Sequence, residues 1–426
     1  MTRLARFAAL ALALALSQAA LAQDTRPPAN IDLRQLMRQA LRENPRLTLA
    51  RQEIAGAEAD RLSAGAYPNP SVSFGRSRRG GGDPTLFTGS HQDQAMFELP
   101  LLIGGQRGAR IERAERELAA ARARVAAGAS SLAAEAGAAF VALLAAQEKE
   151  KTLAGAREDT ARLQRIVAGR EQAGAASRYD LARMNAELDQ LDTRFADARA
   201  DVADRAGQLA ALLGQRDWTP RAAGKLEPLP LDASALASTP ERVQATPAVM
   251  AAELDARSAL GAVDVASSER TPATALNVGR SWTAAPFGAA NYLGLSIEIP
   301  ILDTRRGPYE RALSDAEAAR QRLAIAQAET AANLQRLAET IRLRQAALER
   351  YEAGTGARLP AMRQMAEDAY LLGRGSVLDL LDAVRSRLDQ SQTRIDLLAA
   401  LLEAQLRLIA GDGSLERRLG LAPGGS

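Results

Sequence analysis

The chain has 426 residues, no Cys and a single His, His91, so structural zinc, haem, disulfide frameworks and Cys–His or Ser–His catalysis lack their usual ingredients. Aromatic residues make up 4% of the chain while alanine occurs 93 times, which favours long, closely packed helices over a bulky globular core. The formal charge of +3 rests on 54 basic and 51 acidic residues and includes Arg3 and Arg6 of an expected leader; without them, 52 basic residues against 51 acidic ones give no electrostatic case for nucleic acid.

From the N-terminus, Arg3 and Arg6 precede an apolar run from Phe7 to Leu16, and Ala20-Leu21-Ala22 offers small residues to a signal peptidase. Residues 1–22 are expected to be a signal peptide cleaved before Gln23. The run is shorter than the ~20 residues needed to span a bilayer. No later run of 18 apolar residues is expected, which leaves a periplasmic or secreted chain, or one inserted in an outer membrane as strands.

A first helix is predicted over 31–63, two strands near 71–77 and 91–99, a very long helix over 106–171, and after a short break a helix of about 37 residues. No proline lies between Pro100 and Pro220, and at 1.5 Å per residue the long helix would reach about 100 Å. The Pro-rich stretch 219–246 reads as a linker. The plan then repeats, with a helix over 247–268, strands near 273–282 and 291–299, a long helix over 308–371 kinked at Pro360, and another short helix. A flexible tail is expected over 414–426.

The halves, 23–218 and 247–413, align at an offset near 200. Asn44-Pro45 faces Thr246-Pro247, Glu98-Leu99-Pro100 faces Glu298-Ile299-Pro300, and Gly174, Ser177, Asp180 and Leu181 face Gly373, Ser376, Asp379 and Leu380. Toward the ends, Gly214 falls opposite Gly411, a drift to 197. In each half the two short helices stacked end to end would lie beside the long one.

The strands alternate. Leu293, Leu295, Ile297 and Ile299 oppose Tyr292, Gly294, Ser296 and Glu298, and Ala95, Phe97 and Leu99 oppose Gln94, Met96 and Glu98. The pattern suits a soluble core or a barrel with lipid outside and water within; the signal and the paired hairpins favour the barrel. Four strands cannot close a barrel in lipid, so several copies are expected. Residues 76–82 and 283–290 would be extracellular turns, and Phe87, Trp282 and Phe287 an aromatic girdle.

At the two breaks, Gly373-Arg374-Gly375-Ser376-Val377-Leu378-Asp379-Leu380 and Gly174-Ala175-Ala176-Ser177-Arg178-Tyr179-Asp180-Leu181, together with the tandem plan, the chain resembles the TolC family of outer-membrane factors over about residues 31–413. The resemblance implies a mainly α fold with a small β part. Tandem long-helix repeats would form a coiled-coil tunnel, and four strands per chain would contribute to a twelve-stranded outer-membrane barrel of a homotrimer. It implies a passive exit duct in outer-membrane lipid that extends into the periplasm. The duct would join a periplasmic adaptor and an inner-membrane pump of the RND or another class, and would need no cofactor. The segment from Leu102 to Arg110 also resembles the subgroup paired with heavy-metal cation exporters; with no Cys and one His, metal choice would reside in the pump.

The same resemblance places the turns at 172–177 and 372–376 at the periplasmic mouth. Asp379 and Asp382 match an acidic ring, and Tyr370 a gate tyrosine whose change to Phe should raise conductance. The gate arginine's position is Gly375 here, with Arg374 one residue earlier. An Arg374–Asp180 bridge, Arg178 and Arg183 are the alternatives for closure. Glu98 and Glu298, each just before a proline where strand meets helix, would be either lumen-facing acids or acids that satisfy junction backbone. The rival from another class is a periplasmic coiled-coil adaptor, which would need a compact lipoyl-like module around one hairpin. No phosphate loop or catalytic constellation supports an enzyme.

Overall fold

The computed structural model describes residues 29–78, 91–283, 288–356, 364–365, 367–370, 372 and 374–421. The expected signal peptide, Phe87, Phe287 and Pro360 lie outside them.

The first predicted helix is two. After a short strand, β1 (Asn30–Ile31), helix α1 (Leu33–Glu43) starts at a reciprocal capping box, in which the Gln35 amide donates to Asp32 Oδ1 at 2.7 Å and the Asp32 amide to Gln35 Oε1 at 3.1 Å. It ends at Asn44, whose backbone is extended because the next residue is proline. Pro45 then opens α2 (Pro45–Ala64), with Asn44 Oδ1 accepting from the Arg46 amide.

Strands β2 (Ser71–Arg78) and β3 (His91–Leu101) lead into α3 (Gln106–Gln172), a helix of 67 residues that spans about 100 Å. Helix α4 (Arg178–Leu212) returns along it. The linker holds β4 (Arg221–Ala222), parallel to β1, a 3-10 turn (Ala233–Leu236) and α5 (Pro240–Gln244). The second half runs α6 (Pro247–Ser268), β5 (Thr274–Thr283), β6 (Ala289–Ile297), α7 (Arg306–Tyr351), a π turn (Glu352–Gly356), α8 (Val377–Gly411) and α9 (Leu415–Arg418).

Three expectations need correction. The second long helix was expected to run to 371 with a kink at Pro360; α-geometry is interrupted after Tyr351, upstream of that proline, and returns at 364–365 and 367–370. The π turn ends at Gly356, the residue whose carbonyl a helical proline at 360 would strike. The tail is not free from 414 onward, because Leu415, Leu419 and Leu421 are buried in the main core. A later helix, α3, does carry an 18-residue stretch apolar enough to cross a membrane. Its apolarity is largely alanine, and Ala133, Ala136, Phe140 and Leu143 are buried in the main core with Leu36, Met37 and Leu406.

The end-to-end stacking has a specific joint. Gly214, at φ +67°, lies so close to Pro45 that a Cβ would come within 2.8 Å of the ring, and Gly413, at φ +73°, meets Pro247 at 3.1 Å. Both glycines follow a short helix and both prolines start one, so α4 abuts α2 and α8 abuts α6. These glycines are equivalent at an offset of 199, and α4 and α8 match end for end, so the repeat does not drift to 197. Asn44 Nδ2 donates to the Leu212 carbonyl at 2.9 Å, which satisfies one group at the end of α4.

The linker is held from below by Gln405, only 3% exposed, whose Oε1 accepts from the Leu229 amide at 2.8 Å and whose Nε2 donates to the Leu229 carbonyl at 3.0 Å. Gln405→Ala leaves both groups unpaired and should cost about 1–3 kcal/mol. A thermal melt of the purified channel checks this, and an unchanged midpoint would remove Gln405 from the account.

The four longer strands form one antiparallel sheet in the order β2-β3-β5-β6. Its register puts Val72, Phe97, Val278 and Leu293 in one row across all four strands, and Ser73, Met96, Gly279 and Tyr292 in the next row on the opposite face. Among the described residues, β2 and β6 each have a free edge. The helices beside the sheet also form an open layer, α2 on α3, α3 on α6 and α6 on α7. Leu49 and Leu62 of α2 and Ile325 of α7 are exposed at its margins.

Candidate functional site

The end of the molecule far from the sheet is built from two matching turns. After α3, the Gly174 amide donates to the Glu171 carbonyl at 2.9 Å and the Ala175 amide to the Arg170 carbonyl at 2.7 Å, a Schellman closure with Gly174 at φ +75°. Ser177 then caps α4. Its hydroxyl accepts from the Asp180 amide at 3.1 Å and donates to Asp180 Oδ2 at 2.9 Å, and its own amide donates to that oxygen at 3.2 Å. Ser376 and Asp379 repeat this at the start of α8. The doubled Ser-x-x-Asp-Leu signature is thus a pair of capping boxes with apolar anchors, among which Leu380 is buried and Leu181 half-buried.

Asp379 and Asp382 lie one turn apart on α8, both exposed, and Asp180 is half-buried. The Ser376 backbone N–H and hydroxyl hold the Asp379 carboxyl below its ordinary value.

Tyr370 is buried in a small apolar cluster with Leu163, Val167, Met184, Val377 and Leu380. Arg170 reaches it from α3, with Nη1 donating to the Tyr370 carbonyl at 2.7 Å and the guanidinium 4.8 Å from the ring centroid. Burial pushes the phenol upward in pKa, the Arg170 charge opposes this and the Asp180 charge adds to it. Among the described residues the Tyr370 hydroxyl has no hydrogen-bond partner. The ring and the carbonyl carry the contact, and Tyr370→Phe leaves both intact, so the expected loosening by that change does not follow from this geometry.

Arg374 is exposed and, among the described residues, makes no ion pair with Asp180. The alternatives are engaged locally, Arg178 with Glu171 at 3.6 Å and Arg183 Nη1 donating to the Tyr179 hydroxyl at 3.3 Å.

Sequence reasoning missed the contacts that join the two hairpins here. Glu187 of α4, its side chain 4% exposed, accepts from Arg385 of α8 through Nε at 2.9 Å and through Nη2. The carboxylate raises the pKa of the Arg385 guanidinium. Asp159 of α3 meets Arg387 at 3.0 Å, and Lys149 meets Asp396 at 2.6 Å. A signal existed, because Met184, Glu187 and Leu191 share a helical stripe, and an acid among buried apolar residues calls for a cation.

At the other end, Glu98 pairs in register with Ser71 and Asn277, on the face opposite Val72 and Phe97. Glu298 borders a 260 Å³ cavity at the strand-to-helix junction with Arg110, Arg270, Asp303 and Arg305. Among the described residues neither carboxylate takes a backbone hydrogen bond, and the Glu298 amide donates to the Ala273 carbonyl at 2.9 Å. The backbone-satisfying alternative therefore finds no contact.

Known proteins resemble this chain in sequence and in fold. The profile of outer membrane efflux proteins matches residues 36–215. The cobalt-zinc-cadmium resistance protein CzcC of Cupriavidus metallidurans is 26% identical over 368 residues, 84% of this chain and 83% of that one. The chain is thus similar to outer membrane efflux proteins. The nickel-cobalt-cadmium resistance protein NccC of Alcaligenes xylosoxydans xylosoxydans is 28% identical over 68% of this chain and 65% of its own length. The outer-membrane channel OprN shares the fold at a TM-score of 0.74 and 22% identity, over 90% of each chain. This efflux protein is therefore an outer-membrane channel of tripartite efflux systems that extends into the periplasm, and it is not an enzyme. The adaptor alternative falls with that assignment.

Proposed function

We propose that three copies of this chain close a twelve-stranded barrel continued by a helical tunnel, and that the trimer is a passive duct for metal cations delivered by an RND-class pump through a periplasmic adaptor. The observation that carries this reading is that both layers of the chain stop at unpaired edges. Strands β2 and β6 leave backbone groups that lipid cannot satisfy, and the marginal helices α2 and α7 expose Leu49, Leu62 and Ile325 beside them. The names of the two curated relatives, both cobalt and cadmium resistance proteins, support a cation cargo.

Asp180, Asp379 and Asp382 would bring nine carboxylates from three copies to the periplasmic mouth, raising local cation concentration and repelling anions. Glu98 and Glu298 would continue that preference at the barrel junction. Ligand-free passage suits a duct that must release what it admits.

The capping role of Asp379 dictates how the ring is tested. Asp379→Ala would remove the acceptor half of the capping box as well as a charge, whereas Asn keeps an oxygen for the Ser376 amide and hydroxyl. Asp379→Asn with Asp382→Asn should shift the reversal potential in a planar bilayer under a KCl gradient toward zero. An unchanged potential in correctly assembled trimers would exclude these acids from the selectivity site. The Asp379 carboxyl titrates below its unfolded value, so its stabilising contribution is present above that value and lost as pH falls through the folded one. Cation preference should accordingly persist in mild acid.

A further inference from the structure

The sheet's charges are distributed in a way that a water-filled duct does not explain. Strands β2, β3, β5 and β6 contain three arginines, Arg76, Arg78 and Arg280, and no lysine. An arginine facing the lumen would be hydrated without cost. All three instead share the parity of Val72, Phe97, Val278 and Leu293, the apolar face that a barrel turns to lipid.

They also sit at one end only. Moving along that face from the apolar row toward the hairpin tips, away from the helices, Arg280 comes first beside Ala95 and Asn291. Arg76 follows beside Asp93 and Trp282, and then Arg78 beside His91. In the opposite direction the face carries Leu99, Leu276, Leu295, Leu101, Thr274 and Ile297, with no charge at all. Because the helices extend into the periplasm, the charged end lies in the outer leaflet.

Asp93 engages one arginine, accepting from Arg76 Nε at 2.6 Å and Nη2 at 2.8 Å. The Arg280 guanidinium lies 5.8 Å from the Trp282 ring centroid, and both it and Arg78 are exposed. Directly below Arg280 and Asn291 is an apolar groove of about 540 Å³ that crosses the sheet, floored by Val72, Phe97, Val278 and Leu293. Three arginines against one aspartate, with Arg280 at the rim of an apolar groove and Arg76 and Arg78 further toward the hairpin tip beside Trp282, complement an anionic head group on an acyl chain.

We propose that this patch binds a phosphorylated, acylated glycolipid of the outer leaflet, with a phosphate on Arg280 and Arg78 and an acyl chain in the groove. A binding site of this kind fixes the depth and the outward orientation of the barrel, and it does not touch the exported cargo.

The test uses the full-length channel in zwitterionic detergent micelles, titrated with diphosphorylated lipid A while tryptophan emission is read. Trp218, the second tryptophan, is buried in the main core and contributes a constant background, so the change reports Trp282. Saturable binding is expected for the wild type. Arg78→Gln with Arg280→Gln should weaken it by about tenfold or more, as loss of charge-assisted contacts requires. Arg78→Lys with Arg280→Lys should restore much of it and shows that the sheet still folds. Lipid A stripped of its phosphates should bind no better than the glutamine variant. Equal affinity for the stripped lipid, or equal affinity of the glutamine variant and the wild type, would overturn the proposal. Full displacement by millimolar inorganic phosphate would overturn it too, since the patch would then be a simple anion site.

Discussion

Replacing Arg385 and Arg170 with alanine together should open the periplasmic mouth and raise single-channel conductance several-fold, more than either change alone. Arg385 is the partner of a nearly fully buried carboxylate, and Arg170 ties α3 to the Tyr370 carbonyl and ring, so both contacts cross between the two helical hairpins of one chain. Removing the guanidinium leaves Glu187 buried without a counter-charge. Because Arg385 itself is half exposed, the cost should be about 2–3 kcal/mol, less than for a fully buried pair. If those contacts hold the mouth shut, that energy raises the open-to-closed ratio by roughly 30- to 160-fold. Glu187→Gln is the informative companion, since it removes the charge and keeps the shape. Conductance equal to wild type in intact double-variant trimers would show that the inter-hairpin contacts stabilise the chain without restraining the mouth.

A second large effect is expected from a change of one residue's parity in the sheet. Leu293→Arg places a charge at the β6 end of the row formed by Val72, Phe97, Val278 and Leu293, and on a lipid-facing surface near the bilayer midplane it should cost about 2–4 kcal/mol per chain. Ser73→Arg makes the same chemical change on the opposite face of the adjacent row, where water would solvate it. The first variant should fail to accumulate as assembled channel in the outer membrane. The second should assemble and alter ion selectivity. The reverse outcome would mean that the apolar face lines the duct.

Much of this architecture was legible because its periods are simple. The strands carried strict alternation, and the stretch from Pro100 to Pro220 had no helix breaker to interrupt α3. The break at Asn44-Pro45 was read as a repeat marker and not as a helix end, although a residue before proline resists helical geometry. The π turn before Pro360 was likewise hidden, because a proline announces that a helix is disturbed but not how far upstream the backbone yields. At the mouth, Ser177, Asp180, Ser376 and Asp379 were found by their repetition, and repetition is also what a structural cap produces. The pairs Glu187–Arg385 and Arg170–Tyr370 are separated by some 200 residues, and nothing local in either segment names its partner. Tyr370 holds Arg170 through its ring and carbonyl, which its residue type does not announce, since a tyrosine's hydroxyl suggests a hydrogen bond.

The abutment of Gly214 on Pro45 and of Gly413 on Pro247 has a mechanical consequence. A butt joint between two helices bears compression along its axis but passes torque only through the few contacts that cross it, such as Asn44 to the Leu212 carbonyl, whereas an unbroken helix carries both along its whole hydrogen-bonded ladder. At the level of those joints the short helices are cut, and α7 loses its α-geometry at the π turn between the joints and the mouth. Among the described residues, only α3 runs as one rod from the sheet to the periplasmic turn. Twisting of the mouth can therefore be absorbed at mid-height, and what reaches the barrel is carried by a single shaft per chain.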